Sequence, residues 1–366
     1  MSLITLSDIH AAQTRIAPAA VRTPLVRLTR ARLRVDIPRD KANIVFFVRL
    51  TRARLRVAGF PELSENAPDI YLKDESAQPI GSFKLRGAYN KIAQLSPEEL
   101  KRGVITYSSG NHAQGVAYAA RALGSKAVIV MPSNAPQIKR DATLALGAEI
   151  VTVGSASSER KLRAEELAAA HGYTIIPPYD DPAIIAGQAT CGIEILEQLP
   201  GVELVLSPVS GGGLLSGVAS AIKLVSEAAG RTPPQVWGCE PELAADAHES
   251  FRTRTLVEWP AAKTTRTICD GLRTQSLGAL NFEHILRFVN GIVTVTEDEI
   301  RTATRLFLEA TKIVAEPSGA VTLAAALFHG HELPRAQKVV AIVSGGNLDP
   351  ALRAELQNEP AAIAVS

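Results

Sequence analysis

The chain has 366 residues, is 46% hydrophobic and 5% aromatic, and sets 39 Lys and Arg against 37 Asp and Glu for a net charge of +2. It is too apolar for a disordered chain, too balanced overall for a polyanion binder, and has no apolar run long enough to span a membrane. Three scattered cysteines, Cys191, Cys239 and Cys269, exclude a disulfide scaffold or zinc site and read as buried free thiols of a cytoplasmic protein.

In chain order, the first twenty residues are amphipathic and polar, with no charged stretch leading into an apolar one, so no signal peptide is expected. From Arg22 to Arg56 there are eleven Arg or Lys and two Asp, and residues 26–35 and 48–57 are the same ten letters, VRLTRARLRV. A basic arm of this kind can bind nucleic acid or an acidic partner. The favoured reading is a tandem duplication, an Arg-rich insertion at 26–57 held at the surface where added loop length costs little.

Beyond residue 68, short β-branched runs alternate with longer amphipathic segments. Strands are predicted at 70–73, 103–107, 127–131, 149–153, 174–176, 204–208, 236–240, 292–295 and 339–343. Helices are predicted at 113–123, 138–146, 158–171, 182–199 and 213–229. Thr296 and Glu299 form a capping box that opens another helix. This alternation predicts an α/β protein whose parallel sheets are covered on both faces.

Five segments carry chemistry. Lys84 stands between a polar turn and an apolar helix start, where a desolvated amine can form a Schiff base with a carbonyl cofactor. Ser108-Ser109-Gly110-Asn111-His112 follows a predicted strand and opens a helix, a nest suited to a carboxylate. Gly211-Gly212-Gly213 also follows a strand and opens a helix, leaving backbone N–H groups bare for a phosphate. Glu240, Glu242 and Asp246 offer carboxylates beside turn carbonyls, either a hard-cation site or a solvated acidic loop. Ser344-Gly345-Gly346-Asn347 ends the last strand. Ligands of open parallel sheets sit beyond the carboxyl ends of strands, and the three glycine-containing loops all fall there.

These segments resemble the fold type II pyridoxal phosphate (PLP) enzymes, in the branch of threonine/serine dehydratases and serine racemase. The likeness runs from about Thr23 to Pro350. It rests on Ser82-Phe83-Lys84-Leu85-Arg86-Gly87-Ala88, Ser108–His112, Ile185-Ala186-Gly187-Gln188, the glycine loop, Asp270-Gly271-Leu272, Glu316-Pro317-Ser318-Gly319 and Ser344–Asn347. The resemblance implies two interleaved open parallel-sheet domains, a large one of residues 1–100 and 182–366 and a small one of 103–180, with the cofactor in the cleft between them. It implies that Lys84 holds PLP and acts as the base, that Phe83 packs on its ring, and that Asn111 bonds its ring hydroxyl. Gly211, Gly212, Gly213 and Leu214 would cradle its phosphate, and Ser344 would face its pyridine nitrogen. Ser108, Ser109, Asn111 and His112 would receive the substrate carboxylate.

The implied activity is β-elimination of L-threonine and L-serine to 2-oxobutanoate or pyruvate and ammonia. Its alternatives are serine racemase, with Ser109 as a second acid/base, and a dehydratase for 3-hydroxyaspartate. A distant alternative is a binding protein that uses the Arg-rich arm. Glu240, Ala244 and Asp246 match the divalent-cation site of racemase relatives, which implies Mg²⁺ or another divalent cation. A homodimer with no nucleic-acid or membrane partner is also implied. Ser210 departs from the pattern, replacing a fourth glycine. Because no chain follows Ser366, feedback inhibition of the biosynthetic type is not expected.

Overall fold

Two open sheets organise the chain, and it enters the larger one twice. The computed structural model describes residues 2–28, 68–108, 110–133, 135, 137–154 and 157–359. Most of the duplicated Arg-rich segment, and Ser109, lie outside the described residues.

Helix α1 (Leu6–Ile16) opens with a capping box in which Thr5 and Asp8 each bind the other's backbone N–H. Strands β1 (Leu25–Arg27) and β2 (Asp69–Asp74) pair antiparallel. Helices α2 (Lys84–Ile92) and α3 (Pro97–Arg102) lead into the second sheet. There the order is β3 (Val104–Tyr107), α4 (Asn111–Ala122), β4 (Ala127–Pro132), α5 (Gln137–Ala145), β5 (Glu149–Val153), α6 (Ser157–His171) and β6 (Thr174–Ile175). Helix α7 (Pro182–Gln198) returns to the first sheet, followed by β7 (Leu204–Pro208), α8 (Gly213–Ala228), β8 (Gln235–Pro241) and α9 (Asp246–Thr253). After one helical turn at Ala261–Thr264 come α10 (Ala279–Phe288), β9 (Gly291–Val295), α11 (Glu297–Ala310), α12 (Pro317–Phe328), β10 (Lys338–Val343) and α13 (Pro350–Asn358).

The larger sheet runs β1-β2-β10-β7-β8-β9 and the smaller β5-β4-β3-β6. Apart from β1 with β2, every pairing between these strands is parallel. Alternate residues of β10 serve opposite faces, as the strand period of two requires. Val339, Ala341 and Val343 pack with Phe307, Val321 and Leu323 of α11 and α12, while Val340 and Ile342 pack with Ile195, Leu215 and Ile285 of α7, α8 and α10. Burial on both sides explains why β4 and β7 are buried along their whole length and read as unbroken apolar runs.

All nine expected strands form, within one or two residues of their expected ends. The short β1 was not expected; its three residues carry too little pattern to read. Helix α4 starts at Asn111 rather than 113, because Gly110 serves as its N-cap. The Thr296–Glu299 capping box forms as read. Cys191, Cys239 and Cys269 are free and buried. Among the described residues no helix is long and apolar enough to cross a membrane.

Candidate active site

The site lies at the carboxyl ends of β3, β7 and β10, where loops from the two sheets meet. Lys84 is the first residue of α2, and its neighbour Arg86 sets that helix in place. Arg86 is fully buried and donates Nε and Nη2 to the two oxygens of Glu75, at 2.8 Å each. Its Nη1 and Nη2 also reach Glu194 on α7, at 2.7 and 2.9 Å. Buried Lys73 joins the same Glu194 at 2.5 Å. Desolvation opposes the charge on Glu75, yet the adjacent guanidinium holds it down to about 2. At this crossing Gly187 is required, since a Cβ there would stand 2.7 Å from the Arg86 carbonyl oxygen.

The Lys84 side chain keeps an opening to the cleft, but its amine is poorly hydrated. Loss of hydration, with no acid beside it among the described residues, pulls its pKa to about 8. Its Nζ donates to the Pro178 carbonyl at 2.7 Å and lies 5.2 Å from the centre of the Phe83 ring. Phe83 N–H donates to the Ser344 carbonyl at 3.0 Å, and Gly346 N–H to that of Gly81 at 2.9 Å. The lysine segment and the Ser344–Asn347 loop are thus stitched together. Buried Ser344 donates Oγ to the Ser318 carbonyl at 3.3 Å, which leaves its lone pairs as acceptors.

Gly211, Gly212 and Gly213 precede and open α8 with no side-chain cap. Gly212 has φ +97°, and a Cβ there would lie 2.8 Å from Asn281 Cβ. One on Gly213 would lie 3.0 Å from Tyr179 Cβ, and one on Gly211 would run into the Tyr179 ring. Leu214 follows as a buried residue of the first turn. Ser210 Oγ pairs with Thr274 Oγ1 at 2.8 Å, so the serine that replaces the expected glycine has a hydroxyl partner.

At the other loop, Ser108 Oγ accepts the Gly110 N–H at 3.3 Å. Asn111 donates Nδ2 to Glu316 Oε1 at 2.7 Å and accepts from Asn347 Nδ2 at 2.7 Å. His112 is turned away from the cleft: its Nε2 lies 3.0 Å from the Ile176 carbonyl, so that nitrogen carries the proton. Burial, then the nearby Lys84, pull its pKa down to about 3. The His112 ring is therefore neutral and fixes the loop, while its backbone N–H stays at the first turn of α4.

Glu240 and Asp246 do come together, both 1% exposed, with Ala244 wholly buried between them in sequence. Glu240 accepts the N–H groups of Ala247 and His248 at 3.1 and 2.8 Å, and Asp246 Oδ2 has no partner. Burial pushes Asp246 up to about 7, and burial plus the neighbouring Asp246 raise Glu240. Among the described residues no group of three His, Cys, Asp or Glu is placed to hold a metal.

Sequence reasoning gave no role to Glu316 and did not single out Lys139. Glu316 is buried and pushed up to about 7 by desolvation and by Asp270, against the bond from Asn111. Asp270 pairs with Lys139 of α5, tying a loop of the larger sheet's layer to a helix of the smaller. A glutamate just before Pro317 at a helix start was the available signal, because its side chain does not cap the helix it precedes.

The family model described as pyridoxal-phosphate dependent enzyme matches residues 54–345. The chain is 44% identical over 282 residues to the L-threonine ammonia-lyase of Thermotoga maritima, covering 77% of this chain and 68% of that protein. It is 41% identical over 280 residues to the L-threo-3-hydroxyaspartate ammonia-lyase of Saccharomyces cerevisiae, covering 76% and 83%. Maize serine racemase superposes with a TM-score of 0.82 at 31% identity, covering 97% of each chain.

The residues present fit this cofactor. A poorly hydrated amine suits an aldehyde, and a backbone cradle with no room for a Cβ, at the start of a 16-residue helix, suits a phosphate. The Asn111 and Ser344 groups suit a polar heteroaromatic ring. The chain belongs to the pyridoxal-phosphate dependent enzymes of fold type II.

Proposed function

We propose that the protein is an ammonia-lyase that converts L-threonine to 2-oxobutanoate and L-serine to pyruvate, releasing ammonia. The observation that carries this reading is Lys84, a poorly hydrated amine set between the glycine loop and the Ser344 loop. The names of the relatives above support the same reaction class.

Bound PLP supplies an electron sink for the carbanion formed at the substrate Cα. Lys84 Nζ is the base that takes the Cα proton, and a pKa near 8 leaves an appreciable neutral fraction at physiological pH. The N–H groups of Gly211–Leu214 and the α8 dipole bind the phosphate. Phe83 supports the ring, Asn111 meets its hydroxyl and Ser344 its nitrogen. Glu316 and Asn347 hold the Asn111 carboxamide and leave one Nδ2 proton for a ligand. Ser108, Ser109 and the first-turn N–H groups at Asn111 and His112 receive the substrate carboxylate.

The two sheets support reading residues 1–100 and 182–366 as the large domain and 103–180 as the small one. A cytoplasmic homodimer and a divalent cation at Glu240, Ala244 and Asp246 belong to the same reading. A second substrate is favoured by the 41% identity to the 3-hydroxyaspartate enzyme. The test is a parallel assay of purified holoenzyme on L-threonine, L-serine and L-threo-3-hydroxyaspartate, with detection of 2-oxo acid, ammonia and D-serine. Oxo acid and ammonia without D-serine are expected. D-serine as the main product would replace this reading with a racemase that uses Ser109, and no turnover of any substrate would overturn it.

A further inference from the structure

Away from the lysine site, β8, the start of β9 and helix α9 form an open surface hollow of about 320 Å³ lined by Trp237, His248, Phe251, Arg252, Arg254 and Asn290. No carboxylate lines it, and among the described residues neither arginine has an ion-pair partner. The nearby Glu249 is engaged elsewhere, accepting Trp259 Nε1 at 2.6 Å. Asn290 spends its acceptor on Lys223 Nζ and Val236 N–H, at 2.8 and 2.9 Å, so only its Nδ2 donor is left.

The walls are flat and apolar. Trp237 lies against Gly291, where a Cβ would stand 2.7 Å from the indole. Arg254 is the only non-glycine described residue with positive φ, at 58°. That left-handed turn at the end of α9 brings its guanidinium over the Phe251 ring, 4.7 Å from the centroid. A non-glycine residue held in this region costs conformational energy, and here it aims a cation at the hollow.

We infer that this hollow binds a small aromatic anion, with its charged group on Arg252 and Arg254 and its ring against Trp237. The guanidiniums supply the charge-assisted donors that a phosphate or carboxylate requires, and the volume falls in the range of small-molecule sites. The site is independent of the ammonia-lyase reading, because its ligand is read by binding and not by turnover.

The test is calorimetric titration of the holoenzyme, whose phosphate loop is filled, with phenyl phosphate. Inorganic phosphate and phenol run as the charge-only and ring-only arms. Saturable binding with a Kd below about 1 mM is expected, with each control arm at least about tenfold weaker. The double variant Arg252→Gln/Arg254→Gln should weaken phenyl phosphate at least about tenfold, and Arg252→Lys should lose less. Both positions are exposed, so circular dichroism should show an unchanged fold. Phenyl phosphate should also change the tryptophan fluorescence, and Trp237→Phe should abolish that change. The inference is overturned by absence of saturation in the wild type, by undiminished binding in the double variant, or by inorganic phosphate binding as tightly as phenyl phosphate. A fluorescence change that persists in Trp237→Phe would place the ligand elsewhere and overturn it equally.

Discussion

Asn111 donates its carboxamide to Glu316 Oε1 at 2.7 Å across 205 residues of chain, so a helix behind the smaller sheet holds a carboxyl from the larger one. The carboxyl it holds is itself displaced, raised to about 7 by burial and by Asp270.

For a carboxyl whose folded pKa exceeds its unfolded value near 4.5, folding takes up a proton between the two. Its contribution therefore destabilises as pH rises through that window and is fully felt above pH 7. Glu316→Gln keeps the acceptor for Asn111 and removes the charge. In urea unfolding of the apoprotein, the variant should match the wild type near pH 4 and exceed it at pH 8, by on the order of 3 kcal/mol. Equal stability at pH 8 would show that the carboxyl is ionised without cost.

Lys84 carries the next expectation. An amine of pKa about 8 is roughly one-tenth neutral at pH 7 and nine-tenths at pH 9. The initial rate at which apoprotein forms its visible PLP band should rise about tenfold over that range and then level off. A rise that continues unabated past pH 10 would mark an ordinary exposed lysine. Lys84→Ala should lose the band and all turnover.

Tyr179 and Gly211 cannot both keep their places once Gly211 carries a Cβ. Gly211→Ala should weaken PLP at least about tenfold in absorbance titration, and overpacking should destabilise the apoprotein by about 1–3 kcal/mol. Adding Tyr179→Ala should recover most of the lost stability. No recovery would mean that the alanine disturbs the backbone of the loop and not the ring above it.

Arg86 is fully buried between Glu75 and Glu194. Truncation to Ala strands the buried Glu75 carboxylate and leaves Glu194 to Lys73 alone, and breaking such a cluster costs about 3–5 kcal/mol in chemical unfolding. Arg86→Lys should recover little, because a lysine lacks the planar fork that serves both acids. A loss below about 1 kcal/mol in the alanine variant would show that water enters the cluster.

The unpartnered Asp246 oxygen beside Glu240 sets the last expectation. If the pair holds Mg²⁺ or Ca²⁺, the cation should raise Tm by several degrees and a chelator should reverse it, since a ligand bound only to the folded state stabilises by mass action. Asp246→Asn should abolish the response. A Tm unmoved by either treatment removes the cation from the proposal.

What the amino-acid sequence determined by itself was local. Nine strands, the Thr296–Glu299 capping box and the glycine run at Gly211–Gly213 are properties of neighbouring residues, namely β-branched runs, a cap three residues from its partner, and missing side chains. Lys84 was legible because a helix start and a flanking Phe83 mark it. Tertiary structure alone decided what those residues touch. His112 stands in the loop expected to receive a substrate, yet the pairing of β6 with β3 brings the Ile176 carbonyl to its ring and takes it out of the cleft. Glu316, Asn111 and Asn347 meet only because the carboxyl ends of β3 and β10 converge, and Lys139 meets Asp270 only where the two sheets' layers face each other. Hydrogen bonds and ion pairs at such separations leave no periodicity in the chain, because they depend on which strands become neighbours and not on which residues do.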